Sequence, residues 1–112
     1  MLFVMTAEFL GQPDDDLLAA HIAWLVPRFE SGLFVLSGEA GAAHDTPPSA
    51  LAIMQADSCE AALAALDDEP LFRAGKVRHR VRAYEIRVAS TDLDTRLAGH
   101  ATRIVASASS GG

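Results

Sequence analysis

The sequence predicts an α+β domain, on three observations. Two stretches, residues 14–31 and 58–67, repeat apolar side chains at helical spacing. Three short apolar runs and one longer stretch, residues 77–88, read as strands between turn-rich segments. Along the chain they follow one another as β-α-β-β-α-β, the split βαβ pattern of ferredoxin-like folds, which implies a four-stranded antiparallel sheet carrying its helices on one face. A length of 112 residues suits one domain with one core and is too short for two.

Leu2 to Ala7 is the first apolar run and ends before the turn Gly11-Gln12-Pro13. Asp14, Asp15 and Asp16 supply an N-cap and negative charge for the positive end of a helix dipole. That helix runs to about Glu30 and stops near Gly32. Pro27 lies inside it, where proline costs about 3 kcal/mol, so a bend or an early final turn is expected. Leu33–Ser37 is the second strand, closed by Gly38, and the loop of residues 38–49 leads to a third strand, Ala50–Gln55. Ser58 caps a second helix from Cys59 to about Asp67, with Ala62, Leu63 and Leu66 on its inner face. Residues 68–75 form a turn-rich connector, and Val77–Val88 is a long last strand. Residues 1–89 thus make the domain and 90–112 an extension. Thr91–Val105 can hold a short helix, and the Ser, Ala and Gly of residues 107–112 predict a mobile end.

The formal net charge of −6 argues against a nucleic-acid-binding or anionic-membrane surface. The first residues lack the basic region and cleavage site of a signal peptide, and no apolar run approaches the roughly 18 residues of a membrane span. Cys59 is the one cysteine, which excludes an internal disulfide and suits a reducing cytoplasm.

The first three strands are apolar at both parities: Leu2 and Val4 against Phe3 and Met5, Leu33 and Val35 against Phe34 and Leu36, Leu51 and Ile53 against Ala52 and Met54. A sheet covered on one face should alternate apolar with polar. A second cover is needed, and in so short a chain a second copy is the natural one. A homodimer packed sheet to sheet is therefore expected.

His21 stands where a leucine would suit the first helix. Its neighbours at three and four positions are Leu17, Leu18, Trp24 and Leu25, all on one face. An imidazole there needs a hydrogen-bond partner. Asp68-Glu69-Pro70 offers a carboxylate, which would make an acid/base dyad, whereas a main-chain carbonyl would make His21 a satisfied core residue.

With His21-Ile22-Ala23-Trp24-Leu25, Ser31-Gly32-Leu33, Ser37-Gly38 and residues 68–75 (Asp-Glu-Pro-Leu-Phe-Arg-Ala-Gly) in this order, the chain resembles the YciI-like (YCII-related) family over about residues 1–88. The resemblance implies a ferredoxin-like fold paired as a dimeric α/β barrel. It also implies an active site formed by a helix histidine and the aspartate of an Asp-Pro-aromatic motif. His21 takes the first role. Counted back from Ala74-Gly75, the carboxylate position holds Glu69, with Asp68 immediately before it. Ser37 becomes a substrate-binding candidate by the same resemblance.

A histidine beside a carboxylate can move protons near neutral pH, which suits elimination, isomerisation or dehydration of a small carbonyl or carboxylate compound without metal or redox cofactor. Arg78, Arg80 and Arg82 alternate along the last strand. They could hold a substrate anion, or simply guard an exposed strand against aggregation. Beyond Ala83 the apolar residues Tyr84, Ile86 and Val88 suggest a bulge or a change of cover. His44-Asp45 reads as an exposed turn, and the four histidines and Cys59 lack the close spacing of a zinc site. The expectation is a cytoplasmic homodimer acting as a cofactor-free lyase, dehydrochlorinase or isomerase through His21 and Glu69 or Asp68. The alternative is a non-catalytic module that binds a small ligand or serves dimerisation.

Overall fold

In a computed structural model, which describes residues 1–108, the chain folds as β1 (Leu2–Phe9), α1 (Asp15–Glu30), β2 (Phe34–Ala40), β3 (Ser49–Gln55), α2 (Cys59–Ala65), α3 (Pro70–Arg73), β4 (Val77–Tyr84) and α4 (Leu93–Ala98). The four strands form one antiparallel sheet in the order β2-β3-β1-β4. This is the α+β, ferredoxin-like arrangement, with one added short helix before β4.

Alternation along the strands sorts the core. Phe3, Met5 and Ala7 of β1, Ala52 and Met54 of β3, Phe34 of β2 and Val77 of β4 are buried on the face that carries the helices. Trp24 of α1, Ala62 of α2, the capping Leu66 and Leu71 of α3 close over them. Trp24 meets the Phe34 ring edge-on at 5.8 Å, and Phe29 stacks on Phe34 at 5.7 Å. The alanines of this face leave room for the helix backbones to come close to the sheet.

Helix α1 starts as its sequence demands: Asp14 accepts the Leu17 N–H at 2.8 Å. It ends at Gly32, whose φ of 87° suits glycine in the position after a helix cap. Pro27 does not stop it early, since the helix continues to Glu30. Leu18 is 43% exposed and Leu63 44% exposed, so neither takes the inward place expected of it. Leu18 lies about 100° around the helix from Leu17, at the flank of the stripe.

Strand β4 stops at Tyr84 with unbroken register against β1, so the expected continuation to Val88 and the bulge beyond Ala83 are both corrected. Tyr84 shares parity with the arginines: the row changes from basic to apolar without changing face. A register shift occurs in β2 instead, between Phe34 and Leu36. Helix α4 buries none of its residues, while the chain after it returns to α1, where the Ala108 N–H donates to the Glu30 carbonyl at 2.8 Å. The expected mobile end falls, for residues 109–112, outside the described residues.

Candidate functional site

Pro70 opens a new helix, α3, rather than closing the previous one. The residue before it is thereby the cap: Glu69 Oε2 accepts the Phe72 N–H at 2.6 Å. Capping turns the carboxylate inward, where Glu69 is 3% exposed, the one buried charged residue among those described. Its other oxygen, Oε1, lies 2.6 Å from Nδ1 of His21 on α1. Both oxygens of a buried carboxylate are thus engaged, as burial requires.

Burial alone would raise the Glu69 pKa. The His21 hydrogen bond, the Phe72 amide and the nearby His21 and His79 rings outweigh it and hold the group below the ordinary carboxylate range. An ionised carboxylate only accepts, so Nδ1 of His21 carries the proton in this pair. In the neutral ring the lone pair then sits on Nε2. The His21 side chain is 24% exposed. No fully buried side-chain nitrogen or oxygen among the described residues lacks a hydrogen bond. Nε2, which forms none among the described residues, is therefore not sealed from solvent.

Asp68 does a different job. It accepts the Trp24 indole N–H at 3.1 Å and an Arg28 guanidinium N–H at 3.3 Å. Arg28 lies 4.1 Å above the Trp24 ring and donates to the Trp24 carbonyl at 2.8 Å. This cluster ties α1 to the segment that carries Glu69. Of the two candidate carboxylates, Glu69 is the one that meets His21.

A third ionisable group, His79 of β4, faces the helices from the register position opposite Ala7. Its ring stacks on Phe72 at 5.1 Å and 20°. Burial pushes its pKa down; the Glu69 charge pulls it up and the His21 charge adds to the lowering, and the net is below the ordinary imidazole value. The sequence offered one signal for it: His79 shares parity with Val77 and Val81, which mark the core side of β4.

The remaining candidates are not brought to this pair. Arg78 and Arg80 point to the other face of the sheet, opposite Glu8 and Thr6. They line a depression of about 240 Å³ with Thr6, Thr46 and Ser49. Arg78 is 3.7 Å from Glu8. Strand alternation separates both arginines from His21 by the thickness of the sheet, so within one subunit they cannot share a small ligand with it. Ser37 is exposed on β2, at the opposite edge of the sheet from β4. No group of three or more His, Cys, Asp or Glu residues among those described is placed to hold a metal ion.

The model of the YCII-related domain matches residues 1–85. Among solved structures, the chain is similar to 5-chloro-2-hydroxyhydroquinone dehydrochlorinase (TftG) from Burkholderia phenoliruptrix AC1100, in complex with 2,5-dihydroxybenzoquinone. The TM-score is 0.57 at 24% identity, covering 76% of this chain and 94% of that one. A variant of SnoaB, a cofactor-independent oxygenase from Streptomyces nogalater, is similar at TM-score 0.47 and 15% identity, covering 81% of this chain and 96% of that one. No curated protein matches the chain significantly.

Proposed function

From the premise that the chain belongs to the YCII-related family, we propose that it is a cofactor-free acid/base enzyme acting on a small carbonyl or carboxylate compound through His21 and Glu69. The observation that carries this reading is the 2.6 Å pair between His21 Nδ1 and a buried Glu69 whose second oxygen is held by a main-chain amide. Glu69 fixes the ring's orientation and tautomer and stabilises the imidazolium once it forms. His21 Nε2 takes a proton from carbon next to a carbonyl. The electron pair of that C–H bond forms the enolate, then either expels a leaving group with its bonding pair (a chloride, for example) or takes the proton back from His21 at a different carbon. Elimination and isomerisation share this first step. The dehydrochlorinase among the similar structures makes a halogenated or hydroxylated ring a reasonable first substrate class.

The same reading makes the protein a homodimer paired sheet to sheet, because side chains of apolar type occupy the sheet face that no helix covers. The competing reading is a non-catalytic ligand-binding module, favoured by the absence of His21 from the depressions at Thr6–Arg80 and at Gly32–Asp57. Turnover of chlorinated hydroquinones and of small lactones by wild type and His21→Ala separates them. Loss of turnover in a folded variant of unchanged mass supports the enzyme. Equal rates in both proteins sink the acid/base role.

A further inference from the structure

A base alone does not make an enolate, because negative charge develops on the carbonyl oxygen and needs a hydrogen-bond donor there. The His21–Glu69 pair supplies no such donor: Nδ1 is committed to Glu69, and Nε2 takes the proton. We infer that His79 is a second imidazole of this site, whose ring N–H donates to the carbonyl oxygen of the bound compound while His21 removes the proton. This rests on the acid/base reading above.

Three observations carry it. His79 is half-buried on the helix-bearing face, stacked on Phe72, the residue whose amide holds Glu69. Neither ring nitrogen has a hydrogen-bond partner among the described residues, yet no fully buried side-chain nitrogen or oxygen there goes without one. Both nitrogens are therefore reachable from solvent. The ring is fixed by stacking and left with its polar edge free, which a purely structural histidine has no need of. The charged groups that act on it are Glu69 and His21. Burial keeps the ring neutral, and a neutral imidazole can donate to a developing oxyanion without first giving up a proton. The proton account closes within the site. His21 gains the proton from carbon, the C–H pair becomes the enolate, and His79 shares its N–H without transferring it.

The test is a titration of protein labelled at histidine with 2,5-dihydroxybenzoquinone, followed through the ring resonances at neutral pH, with His44 and His100 as internal references. The expected result is that His21 and His79 shift together along one saturation curve. His79→Phe, which keeps the ring stack and loses the donor, should weaken binding about tenfold, while His79→Asn, which keeps a donor, recovers part of it. A shift at His21 with none at His79, or wild-type affinity in His79→Phe, overturns this inference and leaves the acid/base reading standing. Silence at His21, whatever His79 does, overturns both.

Discussion

Glu69 decides which nitrogen of His21 carries the proton. As a carboxylate it accepts from Nδ1 and leaves the Nε2 lone pair outward. Glutamine at the same place still has an oxygen for the Phe72 amide, but then turns its NH2 toward Nδ1, which must become the acceptor. The proton moves to Nε2 and the free lone pair there is lost with the shape almost unchanged. Glu69→Gln should therefore lower turnover about a hundredfold or more and lower stability by about 1–3 kcal/mol, as expected for a rearranged buried hydrogen bond. The pH dependence of stability checks the same point. Because the folded Glu69 titrates below its ordinary value of 4.5, the unfolded chain binds the proton first. Its contribution is complete above that value and is lost as pH falls toward the folded one. His79, lowered from 6.5, works in the same direction: stability rises with pH through its window up to that value. Denaturant titrations across a pH series should show wild type losing stability in both windows and Glu69→Gln losing it mainly in the upper one. An unchanged acid limb in the variant would count against an ionised, paired Glu69.

Between elements, the pair depends on how α1 meets the segment that opens α3, and Asp68 joins the two. Its ion pair with Arg28 is partly exposed on one side and mostly exposed on the other, and so contributes little. The indole N–H of Trp24 is the larger matter, because Trp24 is buried and would be left without its acceptor. Asp68→Ala should cost about 1–2 kcal/mol, Asp68→Asn distinctly less because an amide oxygen still accepts, and Arg28→Ala least, a ranking that thermal unfolding can check. Equal losses for alanine at both positions would put the weight on the ion pair. Much of this level could be read in the sequence. Asp14 and Gly32 bound α1 by local chemistry, whereas β1 and β3, apolar at both parities, show their core side only once the helices choose a face. Helix α3 could not be found by periodicity, since four residues bury only Leu71 and show no repeat. The proline at its first position was the available sign, and it points to Glu69 as the cap. The partners Arg28 and His79 come from elements far apart in the chain, and pairings of that kind follow from tertiary packing, which no local pattern encodes.

For the whole molecule, the sheet has one face closed by helices and one face that no helix among the described residues covers, and this second face is not uniform. Leu2 and Val4 of β1, Leu36 of β2, Leu51 and Ile53 of β3 and Tyr84 of β4 make its apolar part, Arg82 borders it opposite Val4, and Arg78, Arg80 and Glu8 make its charged end. Leu51 is 41% and Tyr84 45% exposed and the other four apolar side chains are half-buried, so the patch is contiguous, as an interaction surface is. Each fully buried large apolar side chain contributes about 1.5–3 kcal/mol, so burying this patch against a second copy favours association, offset by the cost of bringing two chains together. Light scattering should therefore give twice the 11.8 kDa of the chain at micromolar concentration. Leu51→Lys places a charge in the apolar part without touching the helix side, where Ala52 and Met54 face the core. It should weaken association by about a hundredfold or more and leave a folded monomer, because burying an unpaired ammonium costs more than the lost leucine contact. The ring resonance of His21 reports whether the opposite face is intact. A monomer with an unchanged His21 signal assigns dimerisation to one face and chemistry to the other, whereas a wild-type mass of one chain would remove the partner from both.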